Sequence, residues 1–360
     1  QGLVRVYKNI SGNWTQLGSD FYGDSGDELG HSVSISDDGF TIAIGSPKKH
    51  VGGIIQAGQV KVFHFDTISN NWLQIGQSID GIYSYGRRGW AVSLNGNGDI
   101  LALSSPHANG PEEGQSSIYA FDGSSWNQLG QTIDPPFSSG SFGWSSALSN
   151  DGSTVVIGSD RYPSGNYDGC VLVYDFDGAY WNQKGSLITT SISQAHLGTS
   201  VSINSNGEKI VVGAPDAYSN DGYVETFEFK NNDWFSYGDT IRGYSGGRMG
   251  KAVCMSDDGL NIAAGSTYKQ IGSQTQSGSA YLYKRIDPCY GCTDPIALNY
   301  DQFSLIDDGS CLYIDGCNDP SATNFDPLAT KNDGSCCYSQ SFGSTIGQKI
   351  FGTGNYQELG

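Results

Sequence analysis

Residues 59 to 65 read Q-V-K-V-F-H-F and residues 223 to 229 read Y-V-E-T-F-E-F. Apolar and polar side chains alternate with a period of two, which predicts strands with one buried face and one wet face. Copies of this strand begin near Leu3, Gln59, Ser116, Cys170, Tyr223 and Ser279. In the first five copies a polar turn follows, then a tryptophan four residues before a glycine: Trp14, Trp72, Trp126, Trp181 and Trp234, spaced by 58, 54, 55 and 53 residues. A polar loop then ends in Leu29-Gly30, Arg88-Gly89, Phe142-Gly143, Leu197-Gly198 or Met249-Gly250, and a strand of the S-V-S-I-S kind comes next. Each copy closes on a small apolar strand: TIAIGSP, ILALSSP, TVVIGSD, KIVVGAP or NIAAGST.

Each copy is therefore about four short strands, joined by tight turns and one longer loop. A sheet of that size cannot cover both of its faces, so copies must pack on their neighbours. The expectation is an all-β chain folded as a β-propeller, with the small apolar strand on the crowded side near the axis. Five complete blade repeats and part of a sixth are present, and seven blades are expected in the parent protein. A β-sandwich competes as an all-β architecture, although it does not require a repeat of this period. The 51 glycines, about twice their usual share, and the aromatic content of 12 % suit short strands and tight turns.

The stretches F-G-W-S-S-A-L-S-N-D-G-S-T-V-V-I-G-S-D (142 to 160) and L-G-T-S-V-S-I-N-S-N-G-E-K-I-V-V-G-A-P (197 to 215) resemble FG-GAP repeats. These are the blades of integrin-α-type propellers and their microbial relatives, and the resemblance covers roughly residues 1 to 286 before resuming at the end. It implies a seven-bladed propeller. Only Gly213-Ala214-Pro215 is a complete Gly-Ala-Pro, and the integrin-type D-x-D-x-D-G calcium loop is missing after that strand.

A formal charge of -18, with only 19 Lys plus Arg, argues against nucleic acid as a partner, since phosphate binding needs clustered basic side chains. No apolar run approaches the ~18 residues of a membrane helix. The five histidines, at 31, 50, 64, 107 and 196, show no metal-ligand spacing. G-Y-S-G-G (243 to 247) matches the nucleophile-elbow pattern around Ser245, but the repeat places it in a Gly/Ser loop and not between a strand and a helix. Asp37-Asp38 and Asp257-Asp258 fall at the same turn of different copies, where turn-forming Asp accounts for them. Asn9 and Asn13 head two glycosylation sequons in the first hairpin turn. Trp90 and Trp144 follow the repeat glycines and are candidate sugar-stacking platforms, with core packing as the other reading.

The chemistry changes after residue 286. Residues 291–311 and 316–336 are near copies that agree at 11 of 21 positions, mostly Cys, Asp, Asn, Gly and Pro. Counting the repeat on either side makes residues 287–338 an insertion in the first hairpin of the sixth copy, with 339–360 returning to the blade; a loop tip tolerates such an insertion at small entropic cost. The Cys-x18-Cys spacing predicts Cys292–Cys311 and Cys317–Cys336 disulfides, each contributing about 3 kcal/mol. Cys289–Cys337 would close the neck, and a thiolate zinc site is the rival reading. Asp294, Asn299, Asp301, Asp307 and Asp308 match Asp319, Asn324, Asp326, Asn332 and Asp333. Their oxygens suit Ca2+ as a cofactor, and equally suit turns and caps. The pair resembles tandem G-C-T-D-P…D-D-G-S-C modules of secreted and surface proteins of marine microbes. Cys170 and Cys254 stand apart and are read as buried small hydrophobes.

Together these features point to an extracellular, non-catalytic structural or adhesion protein. It would be a rigid building block of a cell-surface or filament assembly, with copies of itself or other surface proteins as partners. The alternative is a lectin-like propeller binding glycans at Trp90 and Trp144; a secreted enzyme comes third.

Overall fold

The computed structural model describes residues 2–110, 113–138, 140–163, 166–244, 246–268 and 278–284, together with 290–291, 306–307, 315–317, 319–327, 331–332, 334–338 and 350–351. The chain divides into two compact units, Gln1–Tyr281 with Lys349–Gly360, and Leu282–Gln348.

The first unit is nearly all-β and is a five-blade β-propeller; among the described residues its one helical turn is Ala217–Asn220. The first blade runs from Ser32–Ile35 through Thr41–Ser46 and Gln59–Asp66 to Asn71–Gln74. The next four start at Val92–Leu94, Phe142–Leu148, Ser200–Ile203 and Met249–Met255. These starting strands touch one another from blade to blade, so they form the axial edge.

That order shifts the expected phase. Each blade takes its inner two strands from the end of one sequence copy and its outer two from the start of the next. The small apolar strand is accordingly second in the sheet, not at the axis. Its side chains are small because both of its faces are covered: Thr41–Ser46 and Thr154–Ser159 are buried at every position. A Cβ on Gly45, Gly158 or Gly213 would lie 2.1, 2.1 or 2.0 Å from the carbonyl oxygen of Gly89, Gly198 or Gly250 in the following blade. No side chain fits there, which is the physical content of the G in G-S-P and G-A-P.

The apolar clusters lie between blades. Ala43, Val60 and Val62 of the first blade meet Val92, Leu94, Leu101 and Trp126 of the second, and Val156, Val171 and Val173 of the third meet Val201, Ile210 and Trp234 of the fourth. The tryptophans clamp this packing. The indole Nε1 of Trp72, Trp126, Trp181 and Trp234 donates to the carbonyl of Leu17, Ile75, Leu129 and Lys184 at 2.8, 3.2, 2.9 and 2.8 Å. Each ring rests on the glycine that follows that carbonyl: a Cβ on Gly18, Gly76, Gly130 or Gly185 would come within 2.6 to 2.8 Å of the indole Cδ1. At the turn between the two inner strands, backbone bonds link Asp37 N–H to Gly96 O, Gly96 N–H to Asn150 O, Asn150 N–H to Ser205 O and Ser205 N–H to Asp257 O.

Ile350–Phe351 pairs with Ser279–Lys284 as Ser279↔Phe351 and Ala280↔Ile350. This is the register of Ile79–Asp80 on Gln59–Asp66, where Gln59↔Asp80 and Val60↔Ile79. In the second unit Tyr290–Gly291 pairs in parallel with Ile306–Asp307, and Asp315–Gly316 with Lys331–Asn332. The two near copies therefore share one register. Cys317 and Cys336 form a disulfide.

The clamp predicts a graded cost. Trp181, 3 % exposed, should lose about 3–5 kcal/mol on Trp181→Ala, whereas Trp14, 70 % exposed, should lose under about 0.5 kcal/mol. Chemical denaturation of both variants checks this, and equal losses would contradict the clamp.

Candidate functional site

The loops entering the inner strands of the second to fifth blades are tied to the preceding blade by bridges Gly58↔Arg88, Gly114↔Phe142, Gly169↔Leu197 and Gly222↔Met249. One residue earlier, every blade holds a non-glycine residue in the left-handed region: Glu28, Arg87, Ser141, His196 and Arg248, with φ of 55, 56, 57, 53 and 55°. Non-glycine residues avoid this region, so its recurrence shows that the tied loop imposes the conformation. Three further positions repeat beside it. They are His31, Trp90, Trp144, Thr199 and Lys251 after the glycine; Pro47, Pro106, Asp160, Pro215 and Thr267 after the second strand; and Lys48, His107, Arg161, Asp216 and Tyr268 one residue beyond.

In the first three blades these positions build an aromatic and cationic cluster. Ring centroids are 4.3 Å apart for His31 and Trp90, 4.7 Å for Trp90 and Trp144, and 6.2 Å for Trp90 and His107. Arg87 lies 5.5 Å over Trp90, and Arg161 5.6 Å over Trp144. Lys48 pairs with Glu28 at 2.6 Å. Burial pushes the His31 imidazole below its ordinary pKa, with Lys48 and Arg87 adding to that and Glu28 opposing it. A cavity of 680 Å³ is lined by Tyr83, Ser84, Tyr85, Arg87, His107 and Asn109. One of 450 Å³ is lined by Glu28, His31, Lys48, Arg87 and Trp90, among others.

Further round, Asp160 Oδ2 lies 3.6 Å from His196 Nδ1, and Asp216 Oδ2 lies 3.7 Å from His196 Nε2. Arg248 pairs with Asp216, and Tyr167 stacks parallel to the imidazole at 5.7 Å. Asp160 is 5 % exposed, and its Oδ1 has no hydrogen-bond partner. Burial holds its carboxyl above the usual carboxylate range, against the pull of His196, Arg161 and Lys251. A buried carboxyl whose neutral form is favoured, beside an imidazole, is an arrangement suited to proton transfer.

The residues singled out in the sequence fare differently. Trp90 and Trp144 are half-buried and meet in the cluster, not in an inter-blade core. Asn9 and Asn13 lie exposed on the first hairpin, where Asn9 Oδ1 accepts the Gly12 N–H at 2.8 Å. Asp319 accepts from Ser321 N–H, Ser321 Oγ and Tyr338 Oη at 2.8, 2.7 and 2.7 Å. Asn324 donates to Ser335 O at 2.7 Å and accepts the Cys337 N–H, and Asp326 is buried. Of Asp307 and Asn332 only the strand backbone is described. Asp294, Asn299, Asp301, Asp308, Asp333, Cys289, Cys292, Cys311 and Ser245 lie outside the described residues. Among the described residues no group of three His, Cys, Asp or Glu is placed to hold a metal ion. Cys170 is buried, and burial pushes its thiol up to about 12. Cys254 is exposed, which corrects its reading as a buried hydrophobe.

Asp160, His196 and Arg87 were not singled out by motif. The signal was a departure from the repeat: Asp160 replaces a proline present in three other blades. Histidines far apart in sequence, His31 and His107, meet at Trp90 because the repeat carries equivalent positions to one face.

No protein-family model matches the chain, and no curated protein matches it. The fold is similar to that of solved structures. One is the periplasmic gluconolactonase PpgL of Pseudomonas aeruginosa, 15 % identical with a TM-score of 0.53, covering 79 % of this chain and 75 % of that one. Another is a functionally unknown protein from Desulfotomaculum acetoxidans, 12 % identical with a TM-score of 0.48, covering 74 % and 71 %. The expectation of a non-catalytic building block is corrected at this point: a neighbour in fold is an enzyme.

Burial of Asp160 sets a pH dependence. The unfolded carboxyl titrates at about 3.9, and the folded one above its ordinary value. The folded state therefore keeps its proton longer, and this group's contribution to stability falls as pH rises through that window. Asp160→Asn should gain melting temperature over the parent at pH 7 relative to pH 4; an equal difference at both pH values would contradict it.

Proposed function

We propose that the axial face is an active site and the protein a hydrolase that opens an ester or lactone bond in a small polyhydroxylated substrate. The observation that carries the reading is Asp160, buried, with one carboxyl oxygen unpaired and the other 3.6 Å from His196. At 3.6 and 3.7 Å neither imidazole nitrogen is hydrogen-bonded to its carboxylate, so either is open to a water or a substrate oxygen. His196 takes a proton from the water that attacks the carbonyl carbon. Asp160 gives its proton to the alkoxy oxygen as the C–O bond breaks. Transfer of the proton from His196 to Asp160 then resets the pair, leaving one acid and one hydroxyl group as products. The Arg248–Asp216 pair stands on the other side of the imidazole.

The likeness to the gluconolactonase supports the fold alone, and makes sugar lactones the first substrates to try. The blades are read as FG-GAP repeats on the ground of Gly213-Ala214-Pro215 and its register across the copies.

Purified protein should hydrolyse members of a lactone and ester panel faster than buffer does. Asp160→Asn and His196→Gln should each lower kcat about 100-fold or more, with melting curves confirming the fold. No turnover on any member, or undiminished turnover in both variants, would overturn the reading.

A further inference from the structure

The chain has 37 acidic and 19 basic residues, yet Arg87 has no carboxylate within ion-pair reach among the described residues. Its Nε is buried without a hydrogen-bond partner. The next residue compounds this. Arg88 is buried where the other blades carry Leu29, Phe142, Leu197 and Met249. Its Nη1 donates to Tyr119 Oη at 3.2 Å, while its Nε is unpaired. Arg88 is buried and Arg87 half-buried with its Nε enclosed; holding guanidinium groups so without a carboxylate among the described residues is unfavourable, and an anion drawn to Arg87 would relieve it.

The surroundings of Arg87 say what carries that anion. Arg87 lines both cavities. The larger is lined by Tyr83, Ser84, Tyr85 and Asn109, whose hydroxyl and amide groups suit a ligand with many hydroxyl groups. Beside them stand the half-buried rings of Trp90 and Trp144, and such rings stack on the apolar face of a sugar. A planar guanidinium matches a carboxylate in a two-point contact. We propose that the Arg87 cavity is a subsite for the carboxylate of an acidic saccharide. The run from Arg87 over Trp90 and Trp144 to Arg161, the residue after Asp160, would let such a ligand extend toward the Asp160–His196 pair. This rests on the hydrolase reading for its substrate class, but binding at Arg87 stands without turnover.

Calorimetry on the whole protein tests it with glucuronate and trigalacturonate against glucose and the methyl esters of the two acids. The acids should bind at least tenfold more tightly than their uncharged counterparts, and added salt should narrow that gap. Arg87→Gln should abolish the preference, with a melting temperature no lower than the parent's; Arg87→Lys should restore part of it. Equal binding of acid and ester by the unaltered protein would overturn the proposal without recourse to a variant. So would a preference that survives Arg87→Gln, or displacement of the sugar acid by sulfate at equal concentration. Acid binding in a protein that hydrolyses nothing would sink the hydrolase reading alone. Hydrolysis of neutral lactones with no preference for acids would sink this one alone.

Discussion

The indoles of Trp72, Trp126, Trp181 and Trp234 reach back to the strand hairpin about 50 residues earlier, donate their N–H to a backbone carbonyl and rest on the glycine after it. Four such contacts recur, from Trp72 on Leu17 and Gly18 to Trp234 on Lys184 and Gly185. Each links a large apolar surface to a directed hydrogen bond, so it resists both separation and sliding of neighbouring sheets. The glycine is required because any side chain would occupy the place of the ring. In the second strand of each of three blades another close approach, Gly45, Gly158 and Gly213 against the next blade's carbonyl, sets the same spacing nearer the axis. Trp14, which has no such partner among the described residues, is 70 % exposed.

Because the blades are held this way, their entry loops are held too. The bridge from Gly169 to Leu197 and its equivalents leave little choice of backbone at the residue before. That residue takes a left-handed conformation whether it is Glu, Arg, Ser or His. The scaffold thus bears the conformational cost, and the side chain is free to vary with the chemistry. One face then collects four positions five times over. Blades one to three use them for His31, Trp90, Trp144 and Arg87, and blades three to five for Asp160, His196, Asp216 and Arg248. Among the described residues, unpaired buried groups occur at these repeating positions in Arg87, Ser141, Asp160 and Thr267, and also at Arg88, Ser146 and Ser279. Turns elsewhere satisfy their polar groups locally, as at Asp38 and Asp258, whose carboxylates accept the N–H of Phe40 and Leu260.

Much of the fold was legible along the chain, since a strand of alternating V, F and polar residues, a Trp, and a turn glycine recur in register. The site was legible only as deviation. Asp160 breaks a run of prolines and Arg88 a run of apolar residues, and neither matches any motif of catalysis. His196 looked isolated because its partners, Asp160 and Asp216, are 36 and 20 residues away. The same scattering made Trp90 and Trp144 look like independent platforms, when they share one contact.

By itself the sequence determined the strand period, the number of complete copies and the all-β class, because side-chain alternation and turn glycines are local demands of the backbone. Which strands share a sheet was decided by the tertiary structure, since pairing is antiparallel across copy boundaries and either phase satisfies the local pattern. The same is true of the proximity of Asp160 to His196 and of the lack of a carboxylate beside Arg87 among the described residues. These depend on how blades are spaced around an axis, and that spacing is set by tryptophans resting on glycines some 50 residues earlier in the chain.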